Sequence, residues 1–443
     1  MPMRSHCRLR ATPREGLDIS SPELMQLIVE GVAEAERSGK WVRGNPDAAT
    51  DLKEMTLEDM VYWVYKTTRP VTRIEADAEP LLARGELGAL PGAFEKRTSL
   101  TLGAGGDLLQ AEGLELSRNI LFASVADLLF GQDVSFANLE SPVTTGELVK
   151  EVIGDRGPPL ECCNHEQFGT LTSHEGRSFT ILNTSNNHMF DRGLEGVDTT
   201  QEALAKNGIL DIGSNRRPEQ YGQGRILEKN GIRLGFAAAT FGLNGHPVPP
   251  GEAYRINVSS LLPRKGKPDL ALLKRQIDSC REQRCDFIIA SLHWGYEFEL
   301  FPRRRQIEAS RELIEYGADA ILAHHPHVIQ PVEYYRTQRD PNRVAPIAYS
   351  LGSMTWGFTA PHLVLSLIQN LTLAKGRLNG RDVTYVEQST VTPIFRSAID
   401  KAGQTETRLE KLADHVGGRS TRHPPEYIAE IQRYADLVLG PRS

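Results

Sequence analysis

Cysteine is scarce in this chain: five among 443 residues, an odd number. That excludes a disulfide-built secreted scaffold and points to a reducing compartment, so a cytoplasmic location is expected. Cys280 and Cys285 have no histidine pair beside them, and Cys162-Cys163 is equally uninformative, so no zinc clamp is indicated. Long apolar runs are missing too. The longest, Ile120 to Phe130, contains Asp127 and falls short of the roughly 18 residues a membrane span requires. The basic start, Met1 to Arg14, is not followed by the apolar core of a signal peptide. Positive charge is not in excess either. A net charge of −6 and a pI near 6.1, with no basic stripe, exclude nucleic acid as the main partner. The glycine stretch Gly103-Ala104-Gly105-Gly106 lacks both the Lys-Ser/Thr ending and the dinucleotide spacing of nucleotide loops. Its glycines are expected to let the backbone pass close to a ligand site.

What the chain does have is a repeated pattern of apolar run, polar residue and loop. Ala320-Ile321-Leu322-Ala323 ends in His324-His325-Pro326-His327, three of the twelve histidines. Proline between two of them stiffens the backbone, so both rings can be aimed at little ordering cost. Neutral imidazoles suit zinc, iron, nickel or copper. Upstream, Ser99 to Leu102 leads through glycines to Asp107, and Val134 to Ala137 leads to Asn138-Leu139-Glu140-Ser141-Pro142. Phe179 to Asn183 leads to Asn186-Asn187-His188, with Asp191 beyond, and Phe287 to Ser291 leads to His293-Trp294-Gly295. Short apolar runs of this kind read as buried strands, and ligand sites in open α/β sheets form beyond the carboxyl ends of such strands. Asp, Glu, Asn and His gathered there point to a site for two metal ions. Each residue also has a structural reading. Asp107 could cap a turn, Asn138 and Glu140 could close a strand before Pro142, and Asn187 could serve a left-handed turn. His188 and His293 could be satisfied packing histidines, and His324 reads as buried behind the ligands.

The ordered set Gly106-Asp107, Asn138 to Pro142, Asn186 to His188, Ser291 to Gly295 and His324 to Val328 resembles the CapA family of bacterial capsule and poly-γ-glutamate synthesis proteins. Tyr349-Ser350-Leu351-Gly352 is similar to that family's closing strand and turn, and the likeness spans roughly residues 98–360. The resemblance implies the fold of calcineurin-like metallophosphoesterases: a two-sheet αββα sandwich, here with a helical N-terminal segment and a helical C-terminal tail added. It implies Asp107, Glu140, Asn187, His293, His325 and His327 as ligands of one or two divalent cations (manganese, iron or zinc). His188 matches the histidine that protonates the leaving group, and Asp191 would orient it. The expected chemistry is hydrolysis by a metal-bound hydroxide, on a phosphoester or a γ-glutamyl or amide bond of an anionic small molecule or polymer. A non-hydrolytic accessory or polyanion-binding role is the alternative. Asn138, Arg303, Arg304 and Arg305 are candidate substrate contacts, the arginines because guanidinium matches planar oxyanions; a solvated first helical turn is their other reading. Three positions depart from the family pattern: Leu108-Leu109 replaces the expected x-His after Asp107, Glu140 stands for an aspartate, and Ser353-Met354 replaces Asn-Phe.

Three regions are expected: 1–97 as a helical extension, 98–395 as the main domain and 396–443 as a helical tail. Ser21-Pro22-Glu23 signals a helix start, with Leu24, Leu27, Ile28 and Val32 on one face. Thr56-Leu57-Glu58-Asp59 resembles a capping box. The helix it opens carries Tyr62, Trp63 and Tyr65, more aromatic surface than a lone helix buries, consistent with packing on the main domain, a lid or a dimer contact. Residues 80–91, rich in proline and glycine, read as a linker. Leu363 to Leu373 and Val383 to Ile394 read as a hairpin closing the second sheet, and Pro424-Pro425-Glu426 as the start of a packing helix.

Overall fold

The computed structural model describes residues 9–440 except 83–84, 149–152, 155–159, 402–403 and 420–421. The first eight residues of the basic start, and 83–84 of the linker, lie outside the described residues. The apolar runs that end in polar residues are parallel strands. In the first sheet β1 (Glu95–Leu108), β2 (Val134–Leu139), β3 (Ile181–Asn183) and β4 (Leu210–Ile212) lie side by side in parallel. The second sheet is built from β5 (Arg225–Lys229), β6 (Ile232–Thr240), β7 (Phe287–His293), β8 (Ala320–His324), β9 (Val332–Arg336) and β10 (Val344–Ala348). Its order is β9-β10-β8-β7-β6-β5, parallel in the middle and antiparallel at both edges. The short β11 (Ser353–Thr355) then returns to pair with β1. After it, β12 (Leu365–Leu378), β13 (Arg381–Lys401) and β14 (Gln404–Lys411) extend the first sheet beyond β1.

The central strands are uninterrupted apolar runs because both of their faces are covered. Phe287 and Ile289 of β7 point into the core shared with Leu100 and Leu102 of β1 and Phe136 of β2. Ile288, Ala290 and Leu292 point the other way, onto α4 (Ala271–Glu282) and α5 (Arg304–Tyr316). The outer face of the first sheet, with Ala137, Leu139 and Leu182, is covered in part by α3 (Gly193–Lys206) through Ala203 and Leu204. The result is the expected αββα layering. No helix among the described residues is long and apolar enough to cross a membrane.

The added N-terminal helices lie on the outer layer of the second sheet. In α1 (Pro22–Ser38) Ser21 caps the start by accepting a hydrogen bond from the Leu24 amide. Ile28, Val32 and Ala35 are its buried face, whereas Leu27 is 52% exposed and does not share it. In α2 (Leu57–Thr68) the Thr56–Asp59 capping box is present, and Val61, Tyr62, Val64 and Tyr65 are buried. Three buried charges lock α2 to the main domain. Lys66 Nζ lies 3.2 Å from Glu299 Oε1, which also accepts hydrogen bonds from Tyr62 (2.7 Å) and Arg303 (2.8 Å).

Two features of the C-terminal half differ from expectation. The hairpin β12–β13 closes the first sheet, not the second, because β12 runs antiparallel along β1 from Gln369↔Ala104 to Arg377↔Glu95. Residues 396–411 are mostly strand, so the helical tail is confined to α6 (Pro425–Leu439). In β14 it is Thr405, Thr407 and Leu409 that turn inward, between Glu406 and Arg408. That period of two is carried by threonines on an edge strand, a weak apolar signal.

Replacing Glu299 with alanine should destabilise the fold by about 3–5 kcal/mol, since Lys66 and Arg303 would be left buried and unpaired. Urea unfolding of the variant against wild type reads this directly.

Candidate metal centre

Every polar residue singled out at a strand end reaches the same edge of the sandwich. Asp107 is the penultimate residue of β1, His293 the last of β7 and His324 the last of β8. Glu140 follows β2 by one residue, and Asn187-His188 lie on the loop after β3. The glycines before Asp107 make room for neighbouring protein atoms, not for a ligand: backbone at Gly103 and Gly106, the Met354 side chain at Gly105. A Cβ on Gly106 would sit 1.9 Å from the Gly352 carbonyl oxygen, which instead accepts a 2.9 Å hydrogen bond from the Asp107 amide. Beyond β8 the chain turns sharply, with positive φ at His325 (98°) and His327 (55°). Non-glycine residues held there are strained, a feature that clusters at functional sites.

Six side chains form a contiguous donor cluster. Glu140, His293 and His325 make one set, Glu297, His325 and His327 a second, and Asp107, Glu140 and His327 a third; within each, the donor atoms lie within 4.8 Å of one another. Glu140 Oε1 is 3.3 Å from His293 Nε2 and 3.7 Å from His327 Nε2. Asn187 Oδ1 lies 2.7 Å from the same His293 nitrogen. Surrounding groups aim these donors. His327 Nδ1 shares a 2.8 Å hydrogen bond with Ser353, one of the residues departing from the family pattern, so its Nε2 faces the carboxylates. His324 Nδ1 is 3.0 Å from Asp107 Oδ1, behind the cluster.

The electrostatics fit a cation. Burial, reinforced by Asp107, Glu161 and Glu297, pushes the Glu140 carboxyl well above its ordinary range. Burial also works to raise Asp107, but His324 and the neighbouring imidazoles outweigh it and hold the carboxyl low. His293 and His325 are pushed well below the usual imidazole value, chiefly by burial, and are therefore neutral donors. Glu140 Oε1 and His325 Nδ1 are buried and make no hydrogen bond among the described residues. A divalent cation between the carboxylates would occupy those lone pairs and remove the penalty of ionising two adjacent acids.

Beside the cluster, His188 donates from Nδ1 to Asp191 Oδ2 at 2.7 Å, which leaves Nε2 free to act. Asp191 Oδ1 is 3.2 Å from His246 Nε2, and Oδ2 also accepts from the Glu161 amide at 2.8 Å. A cavity of about 130 Å³ opens on this edge and is lined by Asn187, His188, Glu297, His325 and His327.

Two expectations are corrected. Asn138 does not face the cavity. It is fully buried, donating to Asp107 Oδ1 (2.9 Å) and accepting from Asn183 (2.9 Å), so it positions a carboxylate and is not placed to touch substrate. The arginine run does not line the cavity either. Arg303 is 4% exposed and bound to Glu299, Arg304 pairs with Glu308 and Asp77, and Arg305 donates to the Gly266 carbonyl. Glu297 and His246 are the residues sequence reasoning missed. Glu297 had a signal, an acid closing the aromatic stretch Trp294-Gly295-Tyr296 four residues after His293; His246 sits on a polar loop and had none.

An αββα sandwich with Asp, Glu, Asn and His donors clustered at the carboxyl ends of its strands is the arrangement that the resemblance implied. The profile of the family described as "Bacterial capsule synthesis protein PGA_cap" matches residues 101–356, and the chain belongs to that family. It is similar to the PGA biosynthesis protein CapA of Bacillus subtilis, with 26% identity over 274 residues, covering 62% of this chain and 66% of that one. The capsule biosynthesis protein CapA of Bacillus anthracis is 25% identical over 317 residues, covering 68% and 72%. A probable polyglutamine synthesis accessory protein of Mycobacterium tuberculosis is 26% identical over 337 residues, covering 69% and 79%. The chain thus spans just under two thirds of the first of these relatives. Among solved structures, the calcineurin-like phosphoesterase YfkN from Bacillus subtilis superposes at a TM-score of 0.35, with 13% identity over 77% of this chain and 98% of that one. The layering described above rests on strand order and not on that superposition.

Asp191 raises the basicity of His246, first through their hydrogen bond and then through its charge, against the opposing effect of burial. His246 should therefore titrate above the ordinary imidazole value of about 6.5, and Asp191→Asn should lower it, as followed by NMR. Because the folded-state value is raised, the pair's stabilisation is complete below the unfolded value and fades as pH rises through the folded one.

Proposed function

We propose that this protein is a metal-dependent hydrolase. The observation that carries the reading is the donor cluster of Asp107, Glu140, Glu297, His293, His325 and His327 beside the hydrogen-bonded pair His188–Asp191, with Glu297, His325, His327 and His188 lining one cavity. Asn187 Oδ1 completes the ligand set beside His293. Glu140 and His327 each belong to two of the donor sets, as does His325, an arrangement that suits two adjacent cations. Bound there, divalent metal supplies Lewis acidity and lowers the pKa of water. The chain's own residues do the rest. Asp107 and Glu140 supply the negative charge that holds metal, and burial keeps the imidazoles neutral and ligating. Asp191 holds the His188 tautomer so that Nε2 delivers a proton to the leaving group, a role worth about 10²–10⁴ in rate.

Two bond types fit this chemistry, a phosphoester or a γ-glutamyl or amide bond in an anionic substrate, and fold alone does not choose between them. The curated relatives are described as synthesis or accessory proteins, which motivates the rival reading of a polyanion-binding accessory. A donor cluster that is 0–4% exposed (Glu297 apart) favours the hydrolase, because an accessory surface for a polymer calls for an open groove.

Elemental analysis of protein purified without chelator should find one to two equivalents of transition metal, falling in His293→Ala and in His325→Ala. Unchanged stoichiometry in both variants would remove these residues from the ligand set. His188→Ala should retain the metal yet lose about 10²–10⁴-fold in hydrolysis of an aryl phosphoester or γ-glutamyl amide. Loss of metal in that variant would reassign His188 as a ligand.

A further inference from the structure

Much of the wall that faces the donor cluster comes from the N-terminal segment. Ile28, Met55, Met60 and Trp63 line the same cavity as His188, His325 and His327. Aromatic rings add to that wall. Phe241 packs on the His325 ring at a centroid distance of 4.6 Å, and Trp356 on the His327 ring at 4.3 Å. Trp63 also reaches the cluster by a polar contact, its indole Nε1 donating to Glu297 Oε2, while Glu297 Oε1 lies 3.7 Å from His327 Nε2. One helix therefore supplies apolar surface to the cavity and aims one of the candidate ligands.

This wall is anchored in place. Val71 just beyond α2 exchanges backbone hydrogen bonds with the segment that carries Glu297, donating to the Phe298 carbonyl and accepting from Leu300, both at 2.9 Å. His362 Nε2 is 3.1 Å from the Thr67 carbonyl, and Arg264 binds Asp59. A substrate entering the cavity thus meets a preformed apolar enclosure. Lys66, the cation in the lining, is already paired with Glu299, and Asp59 and Glu161 add negative charge. A repeating polyanion would therefore have to strip water from its carboxylates against Ile28, Met55, Met60, Phe241 and Trp356 without a free cation among the described residues to pair them, which is costly. A compact apolar group gains from the same surface.

We infer that the N-terminal segment is the specificity-determining wall of the site, and that the substrate is a small molecule carrying a compact aromatic or branched aliphatic group next to the bond that reacts. The identity of the reacting group rests on the hydrolase reading above; the preference for an apolar neighbour rests on the cavity. Met60 and Met55 are the positions to change, because both line the cavity, both are partly exposed and neither belongs to the donor cluster.

The test is calorimetric binding of two inert anions, phenylphosphonate and methylphosphonate, to the manganese-loaded full chain. Both share the anionic head, and only one carries the apolar group. Wild type should bind phenylphosphonate at least about tenfold more tightly. Met60→Gln, with Met55→Gln as the second variant should the first fold poorly, should reduce that ratio to about threefold or less while leaving methylphosphonate affinity unchanged. Equal binding of the two anions by wild type, or an undiminished ratio in both variants, overturns the inference and leaves the hydrolase reading standing. Tighter binding of a γ-linked glutamate tetramer than of phenylphosphonate overturns it as well. Binding of neither phosphonate to protein shown to hold metal overturns both readings. Should the protein hold no metal, the hydrolase reading falls and benzyl alcohol becomes the probe; equal affinity in wild type and Met60→Gln then overturns the apolar wall.

Discussion

Asp107 is the constraint on which the rest of the molecule depends. It is a carboxylate with no exposed surface, placed on the first sheet but answered largely by the second. Asn138 of β2 donates to it, His324 of β8 lies 3.0 Å away, and the His325 amide approaches at 3.4 Å. A buried anion of this kind is tolerated only where several groups compensate it at once. The two sheets must therefore meet at this edge and in this register. The same requirement accounts for Gly106, whose missing side chain lets the Gly352 carbonyl reach the Asp107 amide and bring Ser353 up to His327.

Around that centre the molecule is arranged in shells. The donors come from strand ends and the turns after them, which hold position because both sheet faces are packed. Behind them Asn138, Asn183, Asn186, Ser353 and His324 set carboxylate and ring orientations through buried contacts. Such supporting groups commonly tune ligands as strongly as direct coordination does. Outside these, the Lys66–Glu299–Arg303 network fastens α2 two residues from Glu297, so the extension and the site share one rigid segment. That coupling gives the added helices a role beyond packing: the cavity has a complete wall only when they are docked.

Residues distant in sequence became legible together because each sits where a both-faces-buried strand ends. Apolar runs ending at Asp107, Asn138, His293 and His324 marked those strands, and the order of their polar endings carried the family resemblance. The helix starts at Ser21 and Thr56 were equally plain, since capping is local chemistry. Other elements were misread for a definite reason. In β14 the alternation is borne by Thr405 and Thr407, and in α1 the regularly spaced Leu27 turns to solvent. The arginine run offered three guanidiniums and no indication that Glu299, Glu308, Asp77 and the Gly266 carbonyl had already claimed them.

By itself, the sequence determined the strand-end positions, the chemical types of the donors and the local helix starts. All of these follow from hydrophobic period and from hydrogen bonding within a few residues. Tertiary structure alone decided which polar residues face the cavity and which stand behind it, that Glu297 joins the cluster, and that a helix more than two hundred residues upstream lines it. Those outcomes depend on the direction of a side chain and on its partner across the fold. Neither is encoded in any local window, because a buried charge takes its partner from wherever the two sheets meet.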